Sequence, residues 1–130
     1  ENDVQRIISY PETLVSSDAI ARGSHPHPRT WGTFPRVLGR YARDLGVLTL
    51  ENAVARMTSM PADRFGLKNR GRITPGAFAD LVIFDPETIR EGATYENPMQ
   101  CSIGIEYVLV NGSMVWQEGR ATQNRPGCVL

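Results

Sequence analysis

The sequence predicts an α+β fold, and three observations carry that expectation. Helical apolar stripes and one short β-compatible run fill the residues before about 60, continuous and period-two β runs follow Gly66, and Asn111-Gly112 sits between two such runs as a hairpin signal. The chain has 130 residues. That suffices for one core without disulfide or metal staples, and is far short of the about 250 residues of a complete (β/α)8 barrel.

The elements follow in chain order. Asn2 stands three residues before Gln5 in a capping-box arrangement, and Val4, Ile7 and Ile8 keep helical spacing until Pro11 ends the run. Thr13-Leu14-Val15-Ser16 is expected as a strand that closes on Ser17-Asp18, with a carboxylate at its C-terminal end. Residues 19–31, rich in Gly, Pro and His, break both periodicities and are expected as a loop. A helix is expected to resume at Pro35, with Val37, Leu38, Tyr41 and Leu45 on its apolar stripe and Gly46 just past its end. Thr49 caps the next, whose buried face carries Leu50, Ala53, Val54 and Met57, and Pro61–Phe65 forms a last short turn closed by Gly66. Pro75-Gly76 suits a type II turn, and Leu81–Phe84 reads as a strand buried on both faces. Ile105–Val110 and Ser113–Gln117 flank the Asn-Gly turn. The expected organisation is therefore a helical unit over residues 1–60 and a β-rich unit over 61–130.

Composition narrows the function classes. Fourteen Lys+Arg balance fourteen Asp+Glu, so the long-range field that nucleic acid or anionic lipid requires is missing, and neither is expected as a partner. No apolar run approaches a membrane span, and the start resembles neither a signal nor a transit peptide, which predicts a cytoplasmic protein with Cys101 and Cys128 as reduced thiols. Glu1 in place of an initiating Met suggests an internal residue of a longer product.

Three groups of residues invite chemistry. Asp18, closing a strand ahead of a loop and helix, occupies the kind of strand end where α/β enzymes place catalysis, although most such aspartates are turn formers. Arg29 presents a planar fork suited to bidentate capture of a carboxylate, and equally to packing over Trp31. His25-Pro26-His27 suggests metal ligation, but the prolines oppose a strand ladder and zinc needs three or four protein ligands, so these are expected as hydrogen-bonded or solvated loop histidines. Lys68, Arg70 and Arg72 read as a solvated basic loop.

The segment Gly71-Arg72-Ile73-Thr74-Pro75-Gly76-Ala77-Phe78-Ala79-Asp80-Leu81-Val82-Ile83-Phe84-Asp85 resembles the C-terminal hallmark of the amidohydrolase superfamily. Within it, Ser17-Asp18 and the run from His25 to Gly39 resemble the N-acyl-D-amino-acid deacylases, or D-aminoacylases, and the likeness continues through Gly104–Gly112 and Arg125-Pro126-Gly127. The resemblance implies the last βα unit of a (β/α)8 barrel plus the C-terminal part of a small β-sandwich. It implies a parent protein that uses zinc to hydrolyse the amide of an N-acyl-D-amino acid. Asp18 then stands for the aspartate that carries a proton from the zinc-activated water to the leaving nitrogen, with contact to the metal in the parent only. Arg29 matches the position that holds the substrate carboxylate.

Ala19 departs from the Gly that many relatives place after that aspartate, and His25-Pro26-His27 is not the zinc pair of the first barrel strand. These residues alone are therefore expected to bind no zinc and to be inactive. Exposed apolar faces are expected to drive homo-oligomerisation. Two other functions compete: a non-catalytic β-rich interaction domain, and a fragment of a cyclic-amide hydrolase of the dihydroorotase or hydantoinase kind.

Overall fold

Described over residues 1–129 by a computed structural model, the chain forms helices α1 (Asn2–Ser9), α2 (Arg29–Arg36), α3 (Leu50–Met57) and α4 (Ser59–Phe65). Strands β1 (Leu81–Phe84), β2 (Ile105–Val110), β3 (Ser113–Gln117) and β4 (Arg120–Ala121) follow. A π-helical stretch, Val37–Asp44, continues α2 without a break. The fold is α+β, as its sequence patterns predict. None of the described helices is long and apolar enough to cross a membrane.

Helix α1 begins one residue earlier than the capping-box spacing suggests. Glu1 occupies the N-cap without a side-chain cap, because its carboxylate reaches across to Arg40 Nε at 3.3 Å. The helix stops at Ser9, and Tyr10 turns to extended geometry ahead of Pro11, whose ring excludes a helical residue before it. The expected strand at Thr13–Ser16 does not form. Its backbone hydrogen bonds are a local turn bond from Thr13 N–H to Tyr10 O at 3.1 Å and one from Val15 N–H to Arg56 O at 3.2 Å, and a strand requires a neighbouring ladder, which no described segment supplies.

Helix α2 starts at Arg29, six residues before the expected Pro35, with Pro28 as its N-cap. Pro35 is tolerated inside because Trp31 O, the carbonyl left without an i+4 donor, accepts a hydrogen bond from Ser102 Oγ at 3.0 Å. The π stretch lengthens the hydrogen-bond step, as in Leu45 N–H to Arg40 O at 2.9 Å. Val37, Leu38 and Tyr41 are buried as expected, whereas Leu45 is the C-cap and lies exposed. Helix α3 is capped by Thr49, whose hydroxyl accepts from Asn52 N–H at 3.2 Å, and α4 ends on Gly66 in the left-handed region.

The sheet is an antiparallel meander in the order β1-β2-β3-β4. Val110 pairs with Ser113 across a two-residue turn whose Asn111 and Gly112 both have positive φ, the geometry that matches strand twist. Strand β1 occurs where expected but is not buried. Val82 is 54% and Ile83 48% exposed, because β1 is an edge strand and no described element covers those side chains.

The core lies mainly in the helical half, where Ile8, Val37, Leu38, Tyr41, Ala42, Leu48 and Ala53 cluster around Ile89 from the β-rich half. Phe84 and Ile105 pack against this cluster from the sheet. Arg56 is buried within it, and its Nη1 donates to Ile8 O at 2.6 Å and Tyr10 O at 2.8 Å. That pair of bonds closes the C-terminus of α1 onto α3. Replacing Arg56 with Met leaves two carbonyls without this donor, so the chain is expected to lose about 2 kcal/mol of stability in urea unfolding. An unchanged midpoint would contradict this account.

Candidate functional site

Asp18 and Arg29 are eleven positions apart, and the loop between them brings them together. Asp18 adopts φ 46°, a left-handed conformation that aspartate tolerates better than most residues. The carboxylate then meets the first residue of α2, with Asp18 Oδ2 3.0 Å from Arg29 Nη2. The Asp18 side chain is 73% exposed and that of Arg29 39%. An ion pair so open to solvent contributes little to stability and separates readily.

His25 and His27 take the hydrogen-bonded loop role. His25 Nε2 donates to Tyr95 O at 2.7 Å, while His27 Nδ1 accepts from the backbone N–H of Arg29 at 3.1 Å. His27 Nε2 lies 3.2 Å from the Tyr95 hydroxyl, and the two rings meet edge-on at 5.2 Å.

Beside Arg29 an open cleft of about 630 Å³ runs along the face of α2 and its π continuation. Arg36, Arg40 and Arg43 line it with Arg29, and Glu91 and Tyr95 stand on the opposite wall. Arg36 pairs with Glu91, and Arg43 Nη1 donates to Ile89 O at 2.8 Å. Burial opposes the charge of Arg36, yet hydrogen bonds to Tyr41 and Glu91 outweigh it and raise its pKa. Sequence reasoning passed over Tyr95 and Glu91. The turn residues around Asn97-Pro98 signal a loop there, and nothing local marks what it touches.

Two residues of the basic run have structural partners. Arg72 makes a bidentate pair with Asp63, both contacts at 2.7 Å, and Arg70 pairs with Asp80, so neither is the freely solvated side chain that their run suggests. Cys101 and Cys128 are free and exposed. Among the described residues no group of three or more His, Cys, Asp or Glu side chains is placed to hold a metal ion. Asp18 offers one carboxylate, and its partner is a cation, whereas a zinc centre takes three or four protein donors.

A family model described as "Amidohydrolase family" matches residues 2–116. The chain belongs to the amidohydrolase family. The D-aminoacylase of Alcaligenes xylosoxydans xylosoxydans is 53% identical to it over 130 residues, which cover 100% of this amidohydrolase chain and 27% of that protein. The N-acyl-D-glutamate deacylase of the same organism is 50% identical over 130 residues, covering 100% of this chain and 26% of that protein. The crystal structure of N-acyl-D-glutamate deacylase from Bordetella bronchiseptica, complexed with zinc and a phosphonate mimic of the tetrahedral intermediate, is also similar. It matches with a TM-score of 0.92 at 50% identity, covering 99% of this chain and 27% of that one. This amidohydrolase chain thus spans about a quarter of the length of the curated relatives it matches.

The turn that carries Tyr95 has its own electrostatic brace. The carboxylate of Glu96 is held below the ordinary glutamate value of 4.5 by its own backbone N–H and by the Thr94 hydroxyl, against a desolvation cost and with help from nearby His25. A lowered folded-state pKa contributes stability that is present above the unfolded value and is lost as pH falls through the folded one. Amide exchange over residues 93–97 is therefore expected to accelerate below about pH 4.5 beyond its intrinsic pH dependence, and Glu96→Gln to abolish that step. A pH-independent protection factor would contradict it.

Proposed function

We propose that the chain is the C-terminal part of a zinc-dependent amidohydrolase that hydrolyses the amide bond of N-acyl-D-amino acids. The observation that carries this reading is the meeting of Asp18 and Arg29 at one exposed point, in a chain about half identical to D-aminoacylase along its full length. Arg29 already holds a carboxylate there, and a substrate carboxylate is a chemically equivalent occupant of its fork.

Amide hydrolysis adds water to the acyl carbon and breaks the C–N bond, so one proton must travel from the attacking oxygen to the departing nitrogen. Asp18, once released from Arg29, accepts that proton and returns it to the nitrogen. Arg29 fixes the α-carboxylate two bonds from the scissile nitrogen and so sets its orientation over Asp18. Zinc, present in the Bordetella deacylase crystal, would take most of its donors from elsewhere in the whole protein, with Asp18 in contact with it there.

Within that protein, residues 1–60 form the last βα unit of the barrel, with 13–16 completing as a strand beside its barrel neighbour. Residues 61–130 form part of the small β-sandwich. The exposed apolar residues support this placement, since Ile7 at 64%, Phe34 at 42% and Val82 at 54% leave both units with uncovered apolar surface.

In the whole protein, Asp18→Asn is expected to lower kcat for N-acetyl-D-methionine by about 10²–10⁴ with the fold retained, and Arg29→Ala to raise KM by about 30-fold. Retained turnover in Asp18→Asn refutes the proton-carrying role. The 130-residue chain on its own is expected to self-associate through its apolar surface and to release no acetate. A monodisperse monomer in solution scattering contradicts the first expectation, and measurable hydrolysis the second.

A further inference from the structure

We infer that Tyr95 is a positioning residue for Arg29, acting through His27; the inference rests on the assignment of Arg29 to the substrate carboxylate. The ten residues 19–28 have no helix or strand, and a segment of that kind samples many backbone conformations unless something distant holds it. Among the described residues, every hydrogen bond that ties 19–28 to a remote part of the chain ends on Tyr95. Its carbonyl accepts from His25 Nε2 at 2.7 Å and its hydroxyl meets His27 Nε2 at 3.2 Å.

The tautomer of His27 follows from its partners. Nδ1 accepts from the Arg29 backbone N–H, so the neutral ring carries its hydrogen on Nε2 and donates it to the Tyr95 oxygen. One imidazole thereby connects the tyrosine hydroxyl to the backbone of the first residue of α2. Pro26, buried between the two histidines, fixes the separation at which they arrive.

Tyr95 is itself 69% exposed, yet it is held in place. Its turn closes on itself, with Thr94 N–H donating to Asn97 O at 3.1 Å and Asn97 N–H donating to Thr94 Oγ1 at 3.0 Å. Ala93 and Pro98 on either side are buried, so the turn hangs from two anchored ends. An apolar role does not account for so exposed a ring, whereas a hydroxyl aimed at the loop that presents Arg29 does.

The test uses the whole protein and a pair of substrates, N-acetyl-D-methionine and its primary amide, which lacks the carboxylate. Tyr95→Phe removes one oxygen and keeps the carbonyl contact to His25. It is expected to raise KM for the acid about five-fold, to leave kcat within about two-fold, and to leave KM for the amide unchanged. His27→Asn, which keeps an acceptor for the Arg29 N–H, is expected to recover part of the affinity that His27→Leu loses. Nitrogen NMR of labelled histidine is expected to show His27 as the Nε2–H tautomer.

An unchanged KM in Tyr95→Phe, alongside a raised KM in Arg29→Ala, overturns the inference and leaves the carboxylate role of Arg29 standing. Equal rises for acid and amide overturn it as well, since they describe a general pocket wall. If Arg29→Ala leaves KM unchanged, both fall together. If neither compound is turned over, the deacylase reading fails, and an Nδ1–H tautomer in the unaltered protein still overturns the contact through His27.

Discussion

The close approach of Ile89 to Gly39 is the contact on which the geometry of the cleft depends. A Cβ at position 39 would run into the Ile89 carbonyl, so the π-helical stretch and the turn at 85–89 meet backbone to backbone. Ile89 is 1% exposed, its N–H donates to Asp85 O at 2.9 Å, and its carbonyl accepts from Arg43. Asp85 stabilises the same turn by accepting from the Thr88 hydroxyl and the Glu87 N–H, bonds that hold its carboxyl below the ordinary aspartate range. With the turn fixed there, the residues that follow run along the helix face, and Glu91 reaches Arg36 while Tyr95 reaches His27. A packing constraint in the core thus sets the distance between the two walls of the candidate site.

Among the guanidinium groups of that helix face, Arg29 is the one whose acid partner is most exposed. Arg36 is engaged by Glu91 and by Tyr41, and Arg40 reaches Glu1, whose carboxyl is lowered by that contact despite desolvation. Arg43 donates to two backbone carbonyls of the 85–89 turn, at Pro86 and Ile89. Removing any of these partners leaves a polar group that the fold uses. Arg29 is tied only to Asp18, the most exposed carboxylate of the set, and an exposed single pair exchanges its acid at little cost. The openness of the Arg29 pair therefore reflects the exposure of Asp18, while Arg36 and Arg43 are committed to contacts within the fold.

Legibility in the sequence follows the range of the interaction responsible. The Thr49 cap, the left-handed Gly66 and the Asn111-Gly112 turn are settled by residues within four positions of each other, and all three were readable. The start of α2 was not, because Pro35 is accommodated by a hydroxyl at Ser102, sixty-seven positions away. The strand expected at 13–16 has the right residues and lacks a ladder partner, and β1 has core composition on an uncovered edge. Asp18 and Arg29 were visible as separate candidates. Their meeting was not, since it depends on a left-handed aspartate and on a tyrosine seventy residues beyond the loop it holds.

The segment that carries the family resemblance most plainly is bound into structural contacts. Asp80 accepts from the Asn111 N–H at 2.8 Å and pairs with Arg70, whose guanidinium lies 4.2 Å over the ring of Phe78. Arg70 also donates to Asn111 Oδ1 at 3.0 Å, and Asn111 Nδ2 donates to Pro126 O at 2.7 Å. These contacts clasp the run before β1 to the β2–β3 hairpin and to the C-terminal tail, and Asn111 keeps its left-handed turn while its side chain binds both. A clasp of this kind specifies which strands pair and in what register, whatever reaction is run elsewhere. That is why the hallmark marks the family, while the residues proposed to choose an acidic substrate, Arg29 and the loop that presents it, lie outside that segment.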